Sequence, residues 1–138
     1  MRLPILVLLL LAAAHPARAA AQRASSDDTI PASAVVVDED DVAELPRLLN
    51  RRVIERLLSQ NYPPALRETG RTGRVQVTMV IDPTGVPHLV TVTGSSGIPE
   101  FDDGAVRVTR GMRFSRPTLN GSPVWVRVRV PVTFDLQQ

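Results

Sequence analysis

The stretch Val124-Trp125-Val126-Arg127-Val128-Arg129-Val130-Pro131-Val132-Thr133-Phe134 decides the fold. Its even positions, Val124, Val126, Val128, Val130, Val132 and Phe134, are all apolar, while Trp125, Arg127, Arg129, Pro131 and Thr133 fill the odd ones. A repeat of two sends alternate side chains to opposite faces, so the run is a strand with one face buried. Its β-branched content suits that state. Pro131 has no amide to give to a ladder and fits an edge strand better than a central one. An edge offers unpaired N–H and C=O groups to any extended chain able to complete the ladder. On this reading, replacing Val128 with proline removes one more edge donor, which abolishes peptide capture and leaves the fold intact.

Working outward, Gly73 to Asp82 alternates Val75, Val77, Met79 and Ile81 with Arg74, Gln76 and Thr78, broken only by Val80. Asp82-Pro83-Thr84-Gly85 has the residues of a tight turn, and Val86 to Ser95 returns as the second strand of a hairpin. The alternation puts Val86, His88, Val90 and Val92 on one face of that strand and Leu89, Thr91 and Thr93 on the other. Leu48, Leu49, Val53, Ile54, Leu57 and Leu58 recur at a helical period, which predicts a helix over 48–59, or one starting at Arg51 if Asn50 is the N-cap. A short helix is expected over 62–70, with Pro63 and Pro64 in its first turn and Gly70 past its end. Phe101 to Gly111 reads as a further helix, with acids early and Arg107 and Arg110 late, as the helix dipole favours. The predicted fold is an α+β two-layer sandwich: a three-stranded, antiparallel-type sheet in the order 2-1-3, with two main helices on one face.

Length and composition set the frame. The chain has 138 residues, enough for one domain. It has no cysteine, which excludes disulfides, thiolate metal sites and a thiol nucleophile. Only one Trp, one Tyr and three Phe are present, so stacking platforms for nucleic acid are poorly supplied. Residues 20–45 hold one Arg against seven acids, whereas 46–138 hold thirteen Arg against seven acids. Two readings follow: a solvated acidic linker, or a linker that folds back onto the basic surface. Ala34-Val35-Val36-Val37 is an apolar patch in this linker that could pair with something.

Met1-Arg2 followed by the apolar run Ile5–Ala14 and Ala17-Arg18-Ala19 has the plan of a secretory signal peptide. Ten apolar residues reach only about 15 Å as a helix, against about 30 Å of hydrocarbon. The expected organisation is a leader over 1–19, an acidic flexible linker over 20–45 and a folded domain over 46–138. The mature protein is expected to be exported and periplasmic.

Taken together, the residues resemble the C-terminal domain family of TonB, the periplasmic energy transducer of Gram-negative bacteria. The resemblance runs through Tyr62-Pro63-Pro64, Gly70, Gly73-Arg74-Val75, Ile81-Asp82-Pro83-Thr84-Gly85-Val86, Ser95-Ser96-Gly97 and Phe101-Asp102-Asp103-Gly104-Ala105. It continues through Met112-Arg113-Phe114-Ser115-Arg116-Pro117, Asn120-Gly121-Ser122-Pro123-Val124 and Val130-Pro131-Val132-Thr133-Phe134. Gly104 and Met112 depart from it, standing where a helix former and a Trp are usual. The resemblance implies that an extended segment, the TonB box of an outer-membrane transporter, adds to the terminal strand. It places partner contacts at Gln60, Tyr62 and Pro63, beside the edge positions Trp125, Val126, Arg127, Val128, Arg129 and Val130. It also implies an inner-membrane motor complex as a second partner. Family members that transduce energy keep an N-terminal anchor and a long Pro-rich spacer; here the leader looks cleavable and the linker is short and acidic.

The remaining chemistry is sparse. His88 is the one histidine outside the leader and has no second His or Cys near it in sequence. Gly94-Ser95-Ser96-Gly97 lacks nucleophile-elbow spacing, and Glu100, Asp102 and Asp103 lack the spacing of a cation loop. No enzyme activity, cofactor, metal, nucleic acid or small-molecule substrate is expected. Two functions remain: capture of an extended peptide by strand addition, or a structural module whose edge is satisfied by self-association as a homodimer.

Overall fold

A computed structural model describes residues 28–136; the expected leader lies outside the described residues. The elements in chain order are β1 (Val36–Asp38), a 3-10 turn (Glu39–Asp41), α1 (Arg51–Gln60), α2 (Pro64–Glu68), β2 (Gly73–Ile81), β3 (Pro87–Gly94), α3 (Pro99–Arg110), β4 (Thr118–Leu119), β5 (Ser122–Pro123) and β6 (Trp125–Phe134). β1, β6, β2 and β3 form one sheet in that order, and β4 and β5 form a small hairpin. The expected three strands are present with β2 in the middle. The sheet nevertheless has four strands, because β1 adds in parallel to the far side of β6. A mixed sheet therefore replaces the antiparallel one expected.

The alternation of β6 does what its period demands. Val126, Val128, Val132 and Phe134 are buried, and they meet Val75, Val77, Met79 and Ile81 of β2 on the face covered by α1 and α3. Phe101 of α3 and Phe134 of β6 stack at 4.9 Å, and Tyr62 stands edge-on to both at 5.5 and 5.9 Å. Burying side chains of this size contributes about 1.5–3 kcal/mol each, so this aromatic trio ties α3, the α1–α2 corner and β6 together. Gly104 belongs to the same contact: a Cβ there would lie 3.1 Å from both the Asn61 carbonyl oxygen and Phe134. The departure from a helix former thus permits a close approach of α3 to the chain corner.

Two expectations shift. α1 begins at Arg51, the alternative start, because Asn50 occupies the N-cap position and residues 47–49 are used otherwise. Leu48 bridges Phe114 in antiparallel fashion, and the amides of Leu49 and Ser115 donate to the carbonyls of Arg113 and Arg47. The Asn50 side chain donates to the Gly111 carbonyl and accepts from the Arg113 amide, locking the start of α1 to the end of α3. The second shift is in β3. Thr78 pairs with Thr91 but Val80 pairs with His88, so β3 carries an extra residue there, and Leu89 has a φ of 48°. This bulge turns His88 away from Val90 and onto the face opposite the helices, beside Val80 and Arg127 in register. The single-face grouping of His88 with Val90 and Val92 is corrected accordingly.

Candidate functional site

The outer side of β6 is built by backbone direction first. The Trp125 amide donates to the Val35 carbonyl, and the Arg129 amide donates to a Glu39 carboxylate oxygen at 3.1 Å. Both amides therefore point away from β2. Along an antiparallel strand every second residue points the same way, so Arg127, Pro131 and Thr133 also face outward, while Val126, Val128, Val130 and Val132 face β2. This corrects the expectation for Val128: its amide belongs to the inner ladder with Met79, and proline there breaks the sheet rather than its edge.

The outward groups divide into two halves. Over the first half, Val36, Val37 and Asp38 pair with Trp125, Val126 and Arg127. The Arg127 guanidinium donates to Asp38 at 2.8 Å, and Arg129 Nε donates to Glu39 at 2.8 Å. Glu39 therefore holds both the side chain and the main chain of Arg129, and its hydrogen bond, followed by its charge, raises the already high Arg129 pKa. Val37 packs on the helix-side core next to Val126, while Val36 and Asp38 fall on the opposite face. The edge expected to be vacant at Trp125, Val126 and Arg127 is thus occupied by the chain's own acidic segment. Over the second half, Val130 to Phe134, no strand among the described residues pairs with the outer side of β6. Pro131 contributes no donor there, and Thr133 contributes one.

The other sheet edge, β3, differs. It opens with Pro87 and has two register shifts against β2, a combination that discourages strand addition. β6 meets β2 in unbroken register from Gly73↔Phe134 to Ile81↔Val126.

The residues around Tyr62 sit at the far end of β6. The Tyr62 ring is buried, its hydroxyl donates to the Arg71 carbonyl, and Arg67 lies over it at 5.1 Å. Pro63 caps the start of α2, and Gln60 is the exposed last residue of α1. A groove of ≈550 Å³ opens here, lined by Glu55, Ser59, Tyr62, Arg67, Asp135 and Leu136. Tyr62 touches Phe134, whereas the Arg127 and Arg129 pairs lie towards the other end of a strand about 30 Å long. The two groups of expected contacts are therefore not one pocket but the two ends of one edge.

The polar clusters serve the backbone. Asp82 accepts from the amides of Thr84 and Val86, from the Thr84 hydroxyl, and bonds His88 Nε2 at 2.8 Å. Burial pushes its carboxyl up, but the Thr84, Val86 and His88 bonds outweigh this and hold it below the usual range. His88 also faces Trp125 at 5.2 Å between ring centres, so Trp125 covers the open face of the sheet. Asp102 accepts from both hydroxyls of Ser95 and Ser96 and from the Ser96 amide. Burial again raises its carboxyl, and the serine bonds lower it further than burial raises it. Ser95 and Ser96 thus hold the start of α3. Sequence reading missed the roles of Asp38 and Glu39, whose only signal was the opposition of an acidic linker to a basic domain.

Comparison with known proteins bears directly on this arrangement. The model of the Gram-negative bacterial TonB protein C-terminal family matches residues 59–136, more than half of the chain. The chain belongs to this family. Protein TonB of Xanthomonas campestris pv. campestris (strain B100) is 37% identical over 75 residues, covering 54% of this chain and 34% of that protein. Protein TonB of Vibrio cholerae serotype O1 is 28% identical over 96 residues, covering 70% of this chain and 37% of that protein. The chain thus spans about a third of the length of these relatives. The matched residues begin at Ser59 and include α2, β2, β3, α3 and β6; β1 and its acids precede them. No helix among the described residues is long and apolar enough to cross a membrane.

Proposed function

We propose that this chain is a TonB-like periplasmic binding module that supports TonB-dependent transport by capturing an extended segment of an outer-membrane transporter on the outer side of β6. Main-chain bonds supply the affinity in such an addition, and alternate side chains supply the selectivity. What supports the reading is the unbroken register of β6 on β2, which aligns a row of outward backbone groups that β1 covers from Trp125 to Arg127 and that no strand among the described residues covers from Val130 to Phe134. Membership of the TonB C-terminal family supports the choice of partner, and the exposed Arg127 and Arg129 favour a segment with carboxylates. A segment reaching from Arg127 to the groove at Tyr62 would span most of the strand. An inner-membrane motor complex is the second partner this role implies.

Titration of the chain with a synthetic TonB-box peptide tests the proposal. Wild type should bind, and Arg127→Pro, which deletes an outward donor and no β2 bond, should bind at least about tenfold more weakly while staying folded. Equal affinity for the two would remove strand addition at β6.

A further inference from the structure

We propose that Val35–Asp41 is a resident occupant of the peptide-binding edge, so that a partner segment enters by displacing it and must bring its own carboxylates to Arg127 and Arg129. This inference rests on the reading of β6 as a peptide-binding edge. Four observations meet on one short segment. Val36–Asp38 adds to β6 in strand register. The Val35 carbonyl takes the Trp125 amide, at the start of that ladder. Asp38 and Glu39 each bond a guanidinium of β6 at 2.8 Å. Glu39 also takes the Arg129 amide with a side-chain oxygen, the place where a further main-chain carbonyl of a guest strand would sit.

The segment is built to leave as well as to bind. It is three residues long as a strand, and none of its residues is fully buried. Its Arg127–Asp38 pair is solvent-exposed, at 52% and 60% side-chain exposure, and such pairs weaken in salt; in the Arg129 pair the arginine is exposed and Glu39 is partly buried. The tether is short: Val42 to Pro46 joins it to Arg47, which is fixed to Ser115 through both the amide and the carbonyl. A short tether gives an effective concentration in the millimolar range, enough for a weak strand to remain seated until a better one arrives. A competitor that finds its site available only about a tenth of the time binds about tenfold more weakly than to an open site. The opposed charges of linker and domain then have a use: the acids of residues 38–39 imitate the ligand and set what the ligand must carry.

The test uses the full chain and its Asp38→Ala/Glu39→Ala variant, with a synthetic peptide of the sequence of residues 34–41 as probe. Amide hydrogen exchange at Trp125, Arg127 and Arg129 is measured in each. Wild type should protect these amides and the variant should lose much of that protection, while Val126 and Val128 stay protected in both. The probe should bind the variant about tenfold more tightly than wild type, and a probe with Asn in place of Asp38 and Gln in place of Glu39 should lose that gain. Unprotected outer amides in wild type would overturn the resident strand. Equal probe affinity for the two proteins would overturn the competition and leave strand addition standing. Protection that behaves as expected, with no probe binding to the variant, would instead defeat the peptide-binding reading.

Discussion

β6 carries two ladders that differ in kind. On its inner side the pairing with β2 runs from Gly73↔Phe134 to Ile81↔Val126 without a break, and the side chains hung from it form the core. On its outer side three pairs join it to β1, and two acid–arginine pairs, Asp38–Arg127 and Glu39–Arg129, hold what lies beyond. The difference teaches which of the two can open. Separating β2 from β6 exposes buried valines, Met79 and Phe134, each worth about 1.5–3 kcal/mol. Separating β1 from β6 uncovers the partly buried Val36 and Val37 rather than fully buried side chains and breaks ion pairs worth about 0–1 kcal/mol each. One ladder is the fold, and the other is exchangeable.

Neighbouring prolines give the sharpest break between the two sides. Val128→Pro removes an inner amide and should cost about 3 kcal/mol or more, enough to unfold much of the population when read by circular dichroism. Arg127→Pro removes an outer amide and an exposed ion pair, and should cost about 1–2 kcal/mol. Similar thermal midpoints for the two would erase the distinction between the ladders.

Gly85→Ala tests how firmly the inner hairpin is docked. Gly85 has a φ of +90°, and a Cβ there would fall 2.0 Å from the Phe114 carbonyl oxygen. Strain and overlap together should cost about 2–4 kcal/mol, seen as a lower urea midpoint at unchanged slope. The outer amides should lose no more protection than global unfolding accounts for.

Acid sharpens the comparison at the β2–β3 turn. Asp82 and Asp102 titrate lower in the folded chain than a carboxylate ordinarily does. Their stabilisation is therefore fully present above the unfolded value near 3.9, and it is lost as pH falls below that value and through the folded one. Asp82→Asn should cost about 1–3 kcal/mol at pH 7 and flatten the decline of stability between about pH 5 and pH 2. An unchanged acid limb would show that Asp82 does not pin the turn. The smallest effect belongs to Glu39→Gln, at or below about 1 kcal/mol in global stability, with faster exchange at Arg129 as its visible mark.

The legible parts of the fold were those with a local period. The alternation of β6 and β2, the turn at Asp82–Gly85 and the helical spacing of Val53, Ile54, Leu57 and Leu58 all report burial directly from residue order. The illegible parts depend on partners far away in sequence. Leu48 continues the helical period but is taken by Phe114. The face of His88 depends on a bulge at Leu89, a residue that gives no hint of a positive φ. Val36 and Val37 were visible as a patch able to pair, yet nothing nearby in sequence names β6 as the partner. The edge was legible only in part: Pro131 marks the half of β6 with no outer partner among the described residues, whereas the half expected to be open at Trp125–Arg127 is paired with β1. Its occupant was not legible, because ion pairs between Asp38 and Arg127 span 89 positions. Tyr62, expected as a partner contact, lies inside the aromatic trio with its hydroxyl held by Arg71, and only part of it faces the groove.

The most direct measurement is an amide-resolved NMR titration of the full chain with a TonB-box peptide. The account predicts that Arg127, Arg129 and Thr133 shift, that Thr133 gains protection while Arg127 and Arg129 keep theirs, and that Val35–Asp41 loses order, with Val126, Val128 and the whole of β3 unmoved. Shifts centred on β3, or peptide binding that leaves the Trp125–Val35 bond in place and Arg129 untouched, would contradict it.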